Sequence, residues 1–267
     1  MALWTPAAIT TALWLDAADA DTITLNGSNV SQWDDKSGVG SGKEATQGTS
    51  SRQPLLDTAS LNGLDTVSFD EDWLISSVSL SQPVSYFFVA KADGSSDSLR
   101  EYLFDGINPT NRHVLAMSGT TGSSSAEPMS MWAGSSLNSG FVTGDNTWRQ
   151  QLAVFNTSSS EAWVDGDQKG TGNVGTMNAS DGIRIGGNFD ASQDWLHGNI
   201  AEIIVIDSIV SQPDREKIEG YLAWKWGLEA NLPADHPYKA AAPAAETPTG
   251  LIVALTSANS ITWGWDG

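Results

Sequence analysis

Along the first 210 residues, apolar positions recur in short runs with turn-forming residues between them. Ala12-Leu13-Trp14-Leu15-Asp16 reads as a first strand, followed by Thr22-Ile23-Thr24-Leu25 and a turn at Asn26-Gly27. Residues 34 to 53 are polar and glycine-rich, which predicts a long surface loop. Thr66-Val67-Ser68-Phe69 and Trp73-Leu74-Ile75-Ser76 alternate about an acidic turn at Asp70-Glu71-Asp72. Ser85 to Ala90 is almost continuously apolar, the pattern of a central strand buried on both faces. Tyr102-Leu103-Phe104 and His113 to Met117 are further strands, and 118 to 128 reads as an exposed Gly/Ser/Thr loop. Trp148 to Phe155 and Glu161 to Val164 have the form of a hairpin that ends in the turn Asp165-Gly166-Asp167. Ile183 to Gly186 is short. Ile200 to Ile206 is the longest apolar strand and belongs deep in a sheet.

A different period begins at residue 212. Ile218, Tyr221, Leu222 and Trp226 recur at helical spacing. Ser211 is placed to cap the first turn, with Asp214 three residues on and Pro213 where a missing amide is harmless. Gly227 supplies the stop. Trp224 and Trp226 cannot share one helix face. One must pack on the sheet while the other meets the 232 to 238 loop. Residues 239 to 249 form an Ala/Pro/Thr linker, and 250 to 267 hold two alternating runs that read as the start of a second β-domain. Many short strands without alternating helices predict an all-β fold, a two-sheet antiparallel sandwich with one C-terminal helix over residues 1 to 238.

Composition narrows the function. There are 13 basic and 32 acidic residues, a net charge of −19. Such a surface repels phosphate backbones, so nucleic acid is not an expected partner. No run reaches the length of a membrane span. Met1 to Pro6 lacks a basic start and an apolar core, so no signal peptide is expected there. The chain has no cysteine, which leaves the redox compartment open.

Three groups of residues carry a family resemblance. They are Leu13-Trp14-Leu15-Asp16-Ala17-Ala18-Asp19 with Val30 to Gly38, Trp148 to Phe155 with Ala162-Trp163-Val164-Asp165-Gly166, and Leu196 to Asp207 with Glu219 to Gly227. In this order they resemble concanavalin A-like (laminin-G-like) jelly-roll domains of the kind found in bacteriophage virion proteins. Residues 250 to 267 resemble the opening of a fibronectin type III domain. The resemblance implies a two-sheet jelly roll and a place on a virion as a head decoration, tail or fibre component. It implies partners among other virion proteins, copies of itself or a host surface glycan. It does not imply one activity.

Candidate chemistry is sparse. Glycosidases need two carboxyl groups about 5 to 9 Å apart, yet Glu202 stands among apolar neighbours with Asp207 five residues away. His113, His197 and His236 are isolated, and no Gly-x-Ser-x-Gly elbow occurs. Gly38 to Lys43 departs from a phosphate-binding loop, with Ser37 in place of its first glycine and Glu44 after the lysine. The chain is therefore expected not to be an enzyme, the alternative being a glycosidase or lyase of the same fold. Jelly rolls of this kind often hold calcium, which makes Asp34, Asp35, Asp190 and Asp194 candidate ligands in rim loops. The Asp70 to Asp72 turn is a further acidic loop. Of the twelve tryptophans, Trp14, Trp148, Trp163 and Trp226 sit in core patterns, whereas Trp73, Trp132 and Trp195 border polar loops and are candidates to stack on a sugar.

Overall fold

The computed structural model describes residues 3–93, 100–118 and 128–245. Residues 119–127 of the loop expected at 118 to 128, the end of the linker and the whole of the expected second β-domain lie outside the described residues.

The strands are β1 (Leu13–Asp16), β2 (Ile23–Asn26), β3 (Asn29–Trp33), β4 (Ala45–Thr46), β5 (Leu55–Leu61), β6 (Leu64–Asp70), β7 (Leu74–Ser76), β8 (Val84–Ala92), β9 (Glu101–Gly106), β10 (Val114–Ser118), β11 (Pro128–Trp132), β12 (Ser136–Val142), β13 (Arg149–Phe155), β14 (Ser160–Val164), β15 (Asp167–Gly172), β16 (Ile183–Ile185) and β17 (His197–Ile206). One helix, α1 (Gln212–Trp226), follows. All the strand pairings are antiparallel and join one large sheet.

The organising strand is β17. One edge pairs with β8 over nearly its whole length. The other edge is shared, with β6 against His197 to Ile200 and β1 against Glu202 to Val205. From β8 the sheet runs through β13 and β14 to β15. From β6 it runs through β5, β3 and β4 to β7, then across β16, β9, β10 and β11 to β12. It then curls back on itself. A Cβ on Gly170 of β15 would lie 3.1 Å from Cα of Ser139 on β12, so the sheet is nearly closed into a barrel.

Alternation along β8 explains its unbroken apolar sequence. Tyr86, Phe88 and Ala90 point into the main core with Leu13, Leu15, Phe104, Phe155, Ile203 and Val205. Phe87 and Val89 point the other way and, with Trp14, Leu152, Val154 and Ile204, receive Ile218, Leu222 and Trp226 of α1. The helix thus covers the outer face of β1, β17, β8 and β13. Its ends are those expected from sequence. Ser211 Oγ accepts from the Asp214 amide and donates to the Asp214 carboxylate, and Gly227 closes the helix at φ +70°. Trp226 is fully buried, whereas Trp224 donates its indole N–H to the Tyr238 carbonyl at 2.8 Å. The two tryptophans divide between sheet and loop.

Two expectations need correction. The polar stretch 34 to 53 is not only loop, because β4 lies within it and Ala45 is wholly buried. Trp148 and Trp163 are only half-buried and pack against the margin of the helix-covered cluster.

His113, immediately before β10, is wholly buried. Its Nε2 lies 2.9 Å from the Met177 carbonyl and its Nδ1 lies 2.8 Å from the Tyr86 hydroxyl. A neutral ring protonated on Nε2 satisfies both contacts. Burial pushes its pKa down to about 4. The unfolded chain takes up this proton near the ordinary value of 6.5, so the neutral ring's contribution to stability is complete above that value and is lost as pH falls towards 4. An NMR titration of the His113 ring should show no protonation until about pH 4. A midpoint near 6.5 would contradict this environment.

Candidate functional site

The sheet has a second outer face, away from the helix, over β9 to β12. Leu115, Met117, Met129, Met131 and Leu137 of this region enter the main core. The alternate residues Val114 and Ala116, joined by Tyr102, form a small separate cluster with Trp132 packed against it. The ladders place them together, because Val114 pairs with Trp132 and Ala116 with Tyr102.

This cluster is the floor of a groove of about 290 Å³. Its rim is polar, with Arg100 and Arg112 on one side and Ser130, Ser136 and Asn138 on the other. A concave apolar floor with a few converging polar groups is the usual construction of a small-ligand site. Both arginines are fixed. Arg112 donates from Nε and Nη2 to the two oxygens of Asp105, which is wholly buried and also accepts from the Phe189 amide at 2.8 Å. Burial pushes the Asp105 carboxyl up to about 6, against the pull of Arg112. The Arg112 guanidinium lies 5.1 Å from the Trp132 ring centre and 4.4 Å from that of Phe189. Arg100 donates from Nη1 to the Tyr102 hydroxyl at 3.2 Å, and its backbone amide donates to Asp194 at 3.1 Å. Burial raises the Tyr102 pKa, which keeps the phenol protonated.

The three candidate tryptophans do not share one groove. Trp73 and Trp195 stack on each other with ring centres 5.3 Å apart and planes 18° apart. Arg52 lies over both rings and Arg184 over Trp73. Arg184 also donates to the Phe189 carbonyl, so a line of rings and guanidinium groups connects this pair to the groove at Trp132. Four of the six arginines in the chain stand on this line or at the groove. Sequence reasoning found Trp132 but missed Arg100, Tyr102, Arg112 and Asn138. The available signal was the placement of scarce arginines in an acidic chain.

The acidic candidates are held by their own loops. Asp35 accepts from the amides of Trp14 and Ser37 and from the Ser37 hydroxyl. Asp34 accepts from Gln32, and Asp190 from the Ser192 amide and hydroxyl. Asp194 holds the Arg100 amide. Among the described residues no three His, Asp or Glu side chains gather into a group that could hold a metal. These donor sets do not fit a calcium site, which needs about six to eight converging oxygens.

Glu202 is wholly buried beneath α1. Its oxygens accept from Trp14 Nε1 at 2.7 Å, Trp226 Nε1 at 2.7 Å, the Tyr221 hydroxyl at 2.9 Å and Lys225 Nζ at 2.8 Å. Lys225 and Lys36 both pair with Asp16, directly opposite Glu202 in the β1–β17 ladder. Every face of the carboxylate is engaged, and the arrangement clamps the helix to the sheet. His236 donates from Nε2 to the Glu219 carboxylate at 3.1 Å, and its Nδ1 accepts from the Tyr238 amide, so it fixes the loop after the helix. His197 lies 3.7 Å from Asp70 and 3.8 Å from Glu101.

At the level of the fold, the chain is similar to the binding domain of botulinum neurotoxin serotype D. The identity is 12%, the TM-score is 0.50, and the match covers 79% of this chain and 50% of that one. This chain thus spans half the length of the neurotoxin domain. Trypanosoma rangeli sialidase, solved with sialic acid, matches at 10% identity over 80% of this chain and 33% of its own, with a TM-score of 0.49. Domain 4 of the extracellular arabinanase AbnA from Geobacillus stearothermophilus, solved with arabinotriose, matches at 12% identity over 73% of this chain and 91% of its own, with a TM-score of 0.44. No protein-family model matches the chain, and no curated protein matches it by sequence. At these identities the likeness concerns the fold alone.

Proposed function

We propose that residues 1 to 238 form a non-catalytic, carbohydrate-binding jelly-roll module whose sugar seat is the groove at Trp132. The carrying observation is the groove itself, where an apolar floor of Tyr102, Val114, Ala116 and Trp132 meets rim hydroxyl, amide and guanidinium groups. Sugars present apolar ring faces and polar edges, which is the complement of this arrangement. The order of the sequence motifs supports a place on a bacteriophage virion, as a head decoration, tail or fibre module that meets other virion proteins, copies of itself or a host glycan. The linker at 239 to 249 would then lead into a second β-domain. Binding in this reading needs no calcium.

The same groove supports the non-catalytic reading. Among the described residues its lining contains no carboxylate. Asp105 behind it is engaged by Arg112, and Glu202 lies in the helix-covered cluster with every oxygen occupied. Neither acid is placed to act as one of a glycosidase pair in this groove.

The test is a glycan array followed by calorimetry on the hit, with the full chain and with Trp132→Ala, each with calcium and with a chelator. Stacking platforms carry a large share of sugar affinity, so the substitution should weaken binding by about tenfold or more. Equal binding by the variant, or a blank array at high protein concentration, would overturn the reading. Turnover of a polysaccharide would favour the enzyme alternative.

A further inference from the structure

Among the described residues, the charge lining the groove is opposite to that of the molecule. The chain carries 32 acidic and 13 basic residues, yet the described lining has two guanidinium groups and no carboxylate. The two arginines also differ. Arg112 is neutralised by a two-point bond to Asp105 and lies close to the rings of Trp132 and Phe189. Arg100 touches the Tyr102 hydroxyl through one nitrogen and, among the described residues, forms no ion pair. Asp194 accepts the Arg100 backbone amide through Oδ1 and acts on the Arg100 charge without forming an ion pair with it.

A neutral sugar in this groove would give the Arg100 guanidinium hydroxyl acceptors in place of water but no counter-charge. A carboxylate would instead take two parallel N–H bonds from the same group, the geometry that favours arginine over lysine. Ser130, Ser136 and Asn138 on the opposite rim remain for ring hydroxyls.

From this juxtaposition we infer that the groove selects a sugar bearing a carboxylate, with Arg100 as the residue that reads the charge and Asp105 as the residue that positions Arg112. The inference rests on the sugar-binding reading above and names the class of ligand. Glucuronate, galacturonate and N-acetylneuraminate all carry this chemistry, and the test separates them.

Each of these three sugars is titrated into the full chain beside its methyl ester, which keeps the ring and removes the charge. Binding is read by NMR or calorimetry at fixed ionic strength. At least one acid should bind tenfold or more tightly than its ester. Arg100→Gln should abolish that preference, so that acid and ester bind with the same affinity. Arg100→Lys should restore part of it, because the charge returns without the planar fork. Thermal unfolding checks that both variants fold, and neither removes the partner of buried Asp105. Equal affinity for acids and esters, lost together in Trp132→Ala, would overturn the inference and leave the sugar-binding reading standing. No binding of any sugar would overturn both. A preference that survives Arg100→Gln would overturn the role given to Arg100.

Discussion

Glu202→Ala is expected to lower the stability of the folded chain by about 3–5 kcal/mol, the range for breaking a buried, hydrogen-bonded ion pair from one side. The carboxylate gathers two indole N–H groups, a hydroxyl and an ammonium in a space closed to water. Removing it leaves those donors buried and unpaired, and unpaired buried donors cost more than their bonds contribute. Lys225 retains Asp16, so the loss is not total. The apolar stripe Ile218, Leu222 and Trp226 still holds α1 to the sheet, and the variant should fold. The midpoint of urea unfolding reads the effect. A change below about 1 kcal/mol would mean that the clamp is incidental to the docking of the helix.

Gly198→Ala should be nearly as damaging for a different reason. Gly198 lies in β17 where that strand is paired on both edges, with Ala92 of β8 on one side and Phe69 of β6 on the other. A Cβ there would stand 2.1 Å from the Lys91 carbonyl oxygen and 2.9 Å from Cα of Ala92. These are backbone atoms in a ladder and cannot swing aside. The expected loss is about 3 kcal/mol, in the class of overpacking changes. For a chain of this size that is a fall of roughly 6–12 °C in melting temperature. Gly48→Ala is the control, since a Cβ there meets nothing within 4 Å, and it should leave the melting temperature within about 1 °C. Equal melting of both variants would show that β17 and β8 are not held as closely as described.

What could be read from the sequence was what local chemistry decides. The helix is set by Ser211, Pro213, Asp214 and Gly227 within its own span, and both ends fall where those residues place them. The strands β8 and β17 are apolar on both faces because helix and core cover them from opposite sides. The tight turn at Asp165-Gly166 takes positive φ at both residues, as the pairing of β14 with β15 requires. Strands β5, β12 and β15 escaped notice because much of their length is exposed and polar, so little alternation survives. The groove was harder still. Arg100, Tyr102, Arg112, Trp132 and Asn138 come from four separate stretches, brought together by the β9–β10–β11–β12 ladders. No local pattern encodes that meeting. The acidic loops read as cation candidates because Asp-x-Ser turns that bond to their own backbone have the same composition as cation loops.

The most direct test of the account is to map amide shifts in an isotope-labelled chain while a binding glycan is added. The perturbed amides should cluster at Tyr102, Val114, Ala116, Trp132 and Asn138, while those of α1 and its clamp at Glu202 stay unmoved. Shifts centred on the helix, the acidic loops at 34 to 37 and 190 to 194, or no single surface would place the ligand elsewhere and contradict the assignment of the groove.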